Sequence, residues 1–514
     1  MEYQNSKRTQ IVIVGAGPTG LSMAAQLLRF NIDFILLEKN EKTTSLSKAI
    51  VVQARTLEIF QELGIAEEAI KRGRETVQMN LFYKGKQKVA INLSGLGEGL
   101  SEFAFALSLE QSKTERLLVE YLSGRGKQVQ WKSEFTHFEQ DDEGVTVYYK
   151  DEQGNRKQVQ ATYLIGCDGA GSLVRHQLNL SFEGSTEAKL FYVADVMLKS
   201  AVINKNALYM YMIKKGFILF FPMEGEGHYR IVGILPEQDD TIAEYKFSDI
   251  EPMIKQEVIS PIEFEERWFS TYKVHSRKAN SFMKDRCFIA GDAAHIHTPA
   301  GGQGMNTGIQ DAYNLAWKIA YTIKGEVNAE VLKSYDSERT ANAKRLLETT
   351  DRMFDIMSGV NRFWNFLRLG FFPLFLNLLS KNKFVKRQIF PLLSQTGIAY
   401  PDSYLTITSS IGKVEAGDRM PYFVFSDGKQ IFTYLAEPVF KLLYFGSHGE
   451  HNPISDAKIK MVFLSFNEIP DSIFGNSTDF YILLRPDNHI SYIGKAIDKC
   501  RELINKISTE KKQF

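Results

Sequence analysis

The residues best placed to do chemistry in this chain are acids that end apolar strands beside runs of glycine. Residues 10–14, QIVIV, read as a buried strand entering the turn GAGPTG, with Gly15, Gly17 and Gly20. A second apolar run, DFILLE, ends at Glu38, eighteen positions after Gly20. Further on, ATYLIGCDG ends at Asp168 and RCFIAGD at Asp292. The last of these leads through Gly301, Gly302 and Gly304 into a long helical pattern. Glycines between a strand and a helix let the backbone approach a pyrophosphate, and the free N–H groups of the helix N-terminus hold its charge. Gly15 suits the tight turn, Gly17 the close approach and Gly20 the packing of helix on strand. A carboxylate at Glu38 accepts hydrogen bonds from ribose hydroxyls and repels a 2′-phosphate, so this site suits FAD or NAD rather than NADP. Asp168 and Asp292 add polar strand ends that the ribityl chain and ring system of FAD would use and NAD would not. Both also suit the N-cap of a following helix.

These groups require a parallel sheet with helices between its strands, so the fold class is α/β. No acid lies between Ala293 and Ile309, so the helix N-terminus near Gly304, Met305 and Asn306 can stabilise negative charge. Between the second and third acid sites, residues 208–213, 217–222 and 229–235 read as antiparallel strands, the first two joined at Lys214-Lys215-Gly216. They would present Tyr209, Tyr211, Met212, Phe220 and Met223 to a substrate, or their strand neighbours in the other register, although most such side chains serve as sheet core. Residues 361–393 are the most apolar stretch, broken by Pro373 and flanked by basic residues. Its longest nearly charge-free run, Leu369 to Leu379, is too short for a membrane span of ~20 residues, and a cavity cap or subunit contact suits the stretch better than an interfacial membrane helix. Strands at 441–446, 460–466 and 480–484, then a helix over 497–507, close the chain.

Composition narrows the function classes. The 514 residues carry a formal charge of +1, with 44% hydrophobic and 24% charged residues, an ordinary globular balance with no call for nucleic acid. Cys167, Cys287 and Cys500 form no CxxC, so neither a disulfide framework nor a cysteine metal site is indicated. His295 and His297 have no third ligand nearby, and a structural role suits them better than a metal. The polar start MEYQNSKRTQ lacks the apolar core of a signal peptide, which points to the cytoplasm.

GAGPTG, CDGAGSLVR and AGDAAHIHTPAGGQGMN together resemble the FAD and NADPH motifs of single-component FAD-dependent aromatic hydroxylases, the group that includes p-hydroxybenzoate, phenol and polyketide hydroxylases. ARTLEIF, LSLEQSKTERLL, YDSERTANA, GDRMP and LLRPDNHISYIG extend the resemblance in order to about residue 494. It implies a Rossmann-like FAD-binding domain at 1–180 and 275–355 and an inserted antiparallel β-sheet substrate domain at 181–274. A helical linker or cap at 356–402 and a thioredoxin-like domain at 403–514 would follow, the latter without a dithiol. It also implies a monomer or homodimer that hydroxylates an aromatic or lipophilic substrate, with NADPH or NADH reducing FAD and O2 supplying the oxygen.

By the same resemblance, Gly15, Gly17, Gly20 and Glu38 bind the adenosine diphosphate, Gln111 the ribityl region and Asp292 a ribityl hydroxyl. Gly304, Met305 and Asn306 meet the isoalloxazine, the Pro299 carbonyl lies near substrate, and Asp168 and Arg175 organise the pyrophosphate side and NAD(P)H docking. Lys48 departs from the family, where many members place arginine; Arg55 either compensates or lies on a helix surface. No catalytic base stands out. A flavin-dependent halogenase is the nearest rival, but Trp131, Trp268, Trp317 and Trp364 offer no WxWxIP pair. An oxygen-independent flavin reductase and a non-enzymatic flavin-binding scaffold complete the alternatives.

Overall fold

The computed structural model describes residues 4–44, 49–199, 206–213, 216–235, 244–258, 262–298, 302–358, 383–446, 459–465 and 470–509. Lys48, Pro299, Lys214, Lys215 and most of the apolar stretch 361–393 lie outside them.

A five-stranded sheet organises the N-terminal half, in the order Met283–Lys284, Cys287–Ile289, Tyr163–Gly166, Ile11–Val14, Phe34–Leu37. The last four strands are parallel, and their side chains are buried on both faces. Covered parallel strands carry unbroken apolar runs, which is why IVIV, FILL and YLIG do not alternate. Helices Pro18–Arg29 and Gly304–Ile323 pack together, and the contact is set by small residues. A methyl group on Gly308 would come within 2.2 Å of Thr19 Oγ1, and one on Gly291 within 2.3 Å of the same atom. Chain order reverses at the strand Ile11–Val14, with Phe34–Leu37 on one side and Tyr163–Gly166 on the other. Open α/β sheets bind ligands at such a switch point, outside the carboxyl ends of the strands.

The second sheet has eight strands, in the order His295–Ile296, Phe264–Ala279, Phe182–Leu198, His228–Ile234, Gly216–Pro222, Ala207–Ile213, Gln78–Tyr83, Lys86–Asn92. Its central strands are antiparallel, as the short connection between them predicts. The hairpin Gln78–Asn92 precedes the expected insertion by about a hundred residues, yet it joins this sheet through a parallel pairing with Ala207–Ile213. Strand periodicity carries no information about such a distant partner.

Each face of this sheet has its own cover. Tyr192, Tyr209, Tyr211, Phe220, Tyr229 and Ile231 form a core with Phe247, Ile250 and Ile254 of helix Phe247–Glu257. Met210, Met212, Phe217 and Ile234 lie on the opposite face with Phe354, from helix Glu330–Ser358, and Ile389, from helix Lys383–Leu393. Phe390 of the latter helix fills the space over Gly97, tying this end of the apolar stretch to the first domain. Among the described residues, no helix is long and apolar enough to cross a membrane.

Near the C-terminus, strands Phe440–Gly446, Ile459–Ser465, Phe480–Leu484 and Ile490–Gly494 build a four-stranded sheet with one parallel and two antiparallel pairings. Helix Ile497–Ile507 follows, and its Cys500 is buried.

Candidate active site

Four parallel strands end side by side, and each supplies one of the residues singled out by the sequence. Val14 leads to Gly15, Leu37 to Glu38, Gly166 to Asp168, and Ile289 to Gly291 and Asp292. Gly15 has φ +99°, and a Cβ there would meet the Cys167 carbonyl oxygen at 2.4 Å. At Gly20 a Cβ would fall 1.9 Å from the Gly15 oxygen. Gly17 is different: nothing lies within 4 Å of a Cβ built there. The protein itself does not need that glycine for packing, so the open space suits a ligand. Helix Pro18–Arg29 starts at Gly17 with no side-chain cap, which leaves its first N–H groups directed at that space.

Glu38 is buried and aims one oxygen at the Ala16 amide at 2.7 Å, while the other accepts from the Asn40 amide at 2.9 Å. The carboxylate is thus fixed beside the glycine turn by backbone donors. Asp168 accepts from the Val174 amide at 3.2 Å through one oxygen; the other is buried with no partner. Burial pushes this carboxyl above its ordinary value, with bonds from Ser172 and Val174 opposing the rise. A buried acceptor left without a partner at a strand end fits a ligand that carries hydroxyl donors. Asp292 is exposed on the short 3-10 turn Gly291–Ala293.

The helix Gly304–Ile323 begins without a side-chain cap and without an acid in its first turn. Asn306 is fully buried within four hydrogen bonds. Its oxygen accepts from the Gln53 amide and Thr56 Oγ1, both at 2.8 Å, and its nitrogen donates to the carbonyls of Val51 at 2.8 Å and Gly302 at 2.9 Å. Its side chain therefore fixes the helix end against residues 51–56, leaving only the backbone of Gly304, Met305 and Asn306 for a ligand. Gln111 belongs to the same wall: it donates its amide to the Ala49 carbonyl at 3.0 Å, and its side chain donates to Glu115 at 2.9 Å.

Other expected positions turn out differently. Arg175 is buried, donating to the carbonyls of Ala293 at 2.8 Å and Ala170 at 2.7 Å, with its guanidinium 3.9 Å from the Phe182 ring centre. It ties the Asp168 turn to the Asp292 turn through these neutral carbonyls. Arg55 is neither a helix-surface residue nor turned to the nucleotide turn. It pairs with Glu58 at 3.0 Å, one turn further along the same helix, and donates to the Asp487 carbonyl at 3.1 Å. Tyr211 and Phe220 lie in the core beneath helix Phe247–Glu257, so the strand neighbours take the other face, toward the first domain. Met223 ends the hairpin by donating its amide to the His228 carbonyl at 3.0 Å. The two histidines are structural in their contacts: His295 bonds Asp311 at 2.7 Å, and His297 donates to the Thr298 carbonyl at 2.7 Å. Burial holds His297 down at about 4, so it is neutral at physiological pH.

Sequence reasoning missed a polar pair on the sheet face that looks toward the first domain. Arg230 is almost fully buried and grips Asp195 with two bonds, 2.6 and 2.7 Å, with Trp268 beside it at 5.7 Å. The only available signal was one arginine in the otherwise apolar strand YRIVGI. Around the pair on the same face stand Leu219, Val232 and Tyr272, all partly exposed.

Comparison with known proteins agrees with this geometry. The FAD binding domain family matches residues 8–350. A 6-methylpretetramide 4-monooxygenase of Streptomyces rimosus is 32% identical over 66% of this chain, a match spanning 61% of that enzyme. An uncharacterised aromatic compound monooxygenase of Bacillus subtilis (strain 168) is 29% identical over 97% of both chains. The solved structure of an anhydrotetracycline hydroxylase from Streptomyces rimosus superposes with TM-score 0.76 at 27% identity, covering 98% of this chain and 99% of that one. The chain belongs to the FAD-dependent aromatic monooxygenases.

Proposed function

We propose that this enzyme hydroxylates a bulky aromatic compound of the phenolic, polyketide or antibiotic kind. In that reaction one O2 and one NAD(P)H, with a proton, give hydroxylated product, NAD(P)+ and water. The observation that carries the reading is the convergence of Gly17, Glu38, the unpartnered Asp168 oxygen and the uncapped end of helix Gly304–Ile323 at one edge of the parallel sheet. Bound FAD supplies the electron transfer and oxygen activation; the protein supplies position and electrostatics.

The residues divide that work. Glu38 holds the adenosine ribose, while Gly15 and Gly17 with the first N–H groups of helix Pro18–Arg29 hold the pyrophosphate. Asp292 accepts from a ribityl hydroxyl and Asp168 organises the adjacent strand end, with Arg175 keeping their turns together. The amides of Gly304, Met305 and Asn306 stabilise negative charge that develops on the ring system. Pro299 and Lys48, outside the described residues, keep the roles that resemblance assigns, the first near substrate and the second on the flavin. Phe221, Leu219, Val232 and Tyr272 on the inward sheet face offer an apolar wall, and Arg230 with Asp195 gives it one polar anchor for a hydroxyl or carbonyl. The enzyme works in the cytoplasm, where NAD(P)H is available, as a monomer or homodimer, and its C-terminal thioredoxin-like domain has no redox dithiol.

A screen of phenols, tetracyclines, rifamycins and other aromatic polyketides for faster flavin reduction by NADPH and NADH tests the proposal. One compound class should accelerate reduction and trigger oxygen uptake; reduction by NAD(P)H with no dependence on any aromatic compound would oppose it.

A further inference from the structure

Behind the nucleotide-binding edge runs a buried ionic chain that none of the roles above uses. Asp311, on the second turn of helix Gly304–Ile323, is fully buried. One of its oxygens accepts from the Gly291 amide at 2.9 Å and from His295 at 2.7 Å; the other accepts from Arg339 Nε at 2.6 Å. Arg339, also fully buried, donates to the Thr307 carbonyl at 3.2 Å and to Tyr400 Oη at 2.9 Å. Gln395 grips the same helix end, donating to Thr307 Oγ1 at 2.8 Å and accepting from Gln310 at 2.6 Å. Tyr400 lies against His489 and under the guanidinium of Arg485, which pairs with Glu338 and Asp487.

This chain ends on two walls of the flavin site at once. Gly291, in the left-handed conformation at φ +62°, opens the turn carrying Asp292; Thr307 belongs to the helix end whose amides face the ring system. One carboxylate thus sets the distance between them. Asp311 is also an anion within two turns of the place where reduced flavin would accumulate negative charge, and Arg339 offsets it. Burial opposes the charge of Asp311, yet Arg339 and His295 hold its carboxyl below the usual range.

The geometry points to Asp311 and Arg339 as a positioning and charge-balancing pair for the flavin, locked from outside by Gln395, Tyr400 and the C-terminal domain. That domain is then a working part of the flavin site. The inference rests on the FAD reading and assigns no new chemical step.

The test uses purified holoenzyme, with the flavin midpoint potential and the rate of FAD release as readouts. Arg339→Gln leaves an unbalanced anion near the flavin and should lower the potential; Asp311→Asn leaves an unbalanced cation and should raise it. Arg339→Lys keeps the charge and should return the potential toward that of the parent. Tyr400→Phe removes one hydroxyl, so it should leave the fold intact, barely move the potential and release FAD severalfold faster. Shifts of the same sign in Arg339→Gln and Asp311→Asn would overturn the pair. If those variants fail to fold, parent-like FAD release in Tyr400→Phe overturns the proposal by itself. A parent protein that retains no FAD would instead defeat the flavin reading.

Discussion

Two glycine-rich helix starts face the same site, and they are built on opposite plans. The helix Pro18–Arg29 leans mainly on glycines of its own turn: Gly20 is forced by the Gly15 oxygen, Gly15 by the Cys167 carbonyl of the neighbouring strand end, and Gly17 looks into empty space. The helix Gly304–Ile323 has little local support. Asn306 ties it to residues 51–56, Gln395 and Arg339 tie it to segments far away in sequence, and Tyr400 leads on toward the C-terminal domain. The difference follows from what each must hold. An adenosine diphosphate is the same in every dinucleotide site, so a local turn suffices. The reacting ring must be placed against a particular substrate, and that placement draws on the whole chain.

The largest effect that tests this contrast is expected at Gly20. Gly20→Ala places a methyl group on the Gly15 backbone oxygen, and we expect no folded, flavin-loaded protein on purification. Asn306→Ala should follow, leaving buried donors and acceptors unpaired at about 1–3 kcal/mol each before relaxation, a net loss on the order of 3 kcal/mol by denaturant unfolding. Gly17→Ala should separate binding from folding: stability close to that of the parent, with FAD affinity weaker by roughly tenfold or more, measured by flavin fluorescence. A large loss of stability there would show that the first turn is not locally built.

A smaller effect distinguishes the two faces of the eight-stranded sheet. Phe221→Ala, on the inward face, should raise the KM of the aromatic substrate severalfold, and Tyr211→Phe, beneath helix Phe247–Glu257, should leave it unchanged. Equal effects would mean that the substrate does not lie on the inward face. The smallest expected signal is in acid. Burial pushes Glu338 up, but Arg485 and Lys318 overcome it and hold the carboxyl at about 2. Its folded value lies below its unfolded one, near 4.5, so its stabilisation is present above pH 4.5 and is lost as pH falls from there toward 2. Glu338→Gln should flatten that part of the acid-stability curve.

How far the chain could be read in advance follows the same division. GAGPTG, Glu38, Asp168 and Asp292 could be placed because glycine geometry and strand-end acids are demands met within a few residues. The inserted strands could be found as apolar runs joined by a turn, but such runs leave both registers open, and only the fold shows Tyr211 and Phe220 in the core beneath helix Phe247–Glu257. The charge of Arg55 suits either a flavin contact or a helix surface, and nothing local in the chain reveals its neighbours Glu58 and Asp487. The pairing of Asp311 with Arg339, and the parallel entry of Gln78–Tyr83 into the sheet, depend on contacts that no local pattern encodes. A weak hint was present: Thr307, Gln310, Asp311, Asn314 and Lys318 repeat at helical spacing in a helix otherwise apolar, and a polar stripe that is buried needs partners.

Labelled oxygen tests the central claim most directly. With FAD-loaded enzyme, NAD(P)H, an aromatic substrate that stimulates flavin reduction and ¹⁸O2, the account predicts one ¹⁸O atom in each hydroxylated product. Consumption of NAD(P)H and O2 should match product formation. Product carrying oxygen only from water, or steady substrate-dependent turnover with no oxygen in any product, would contradict it.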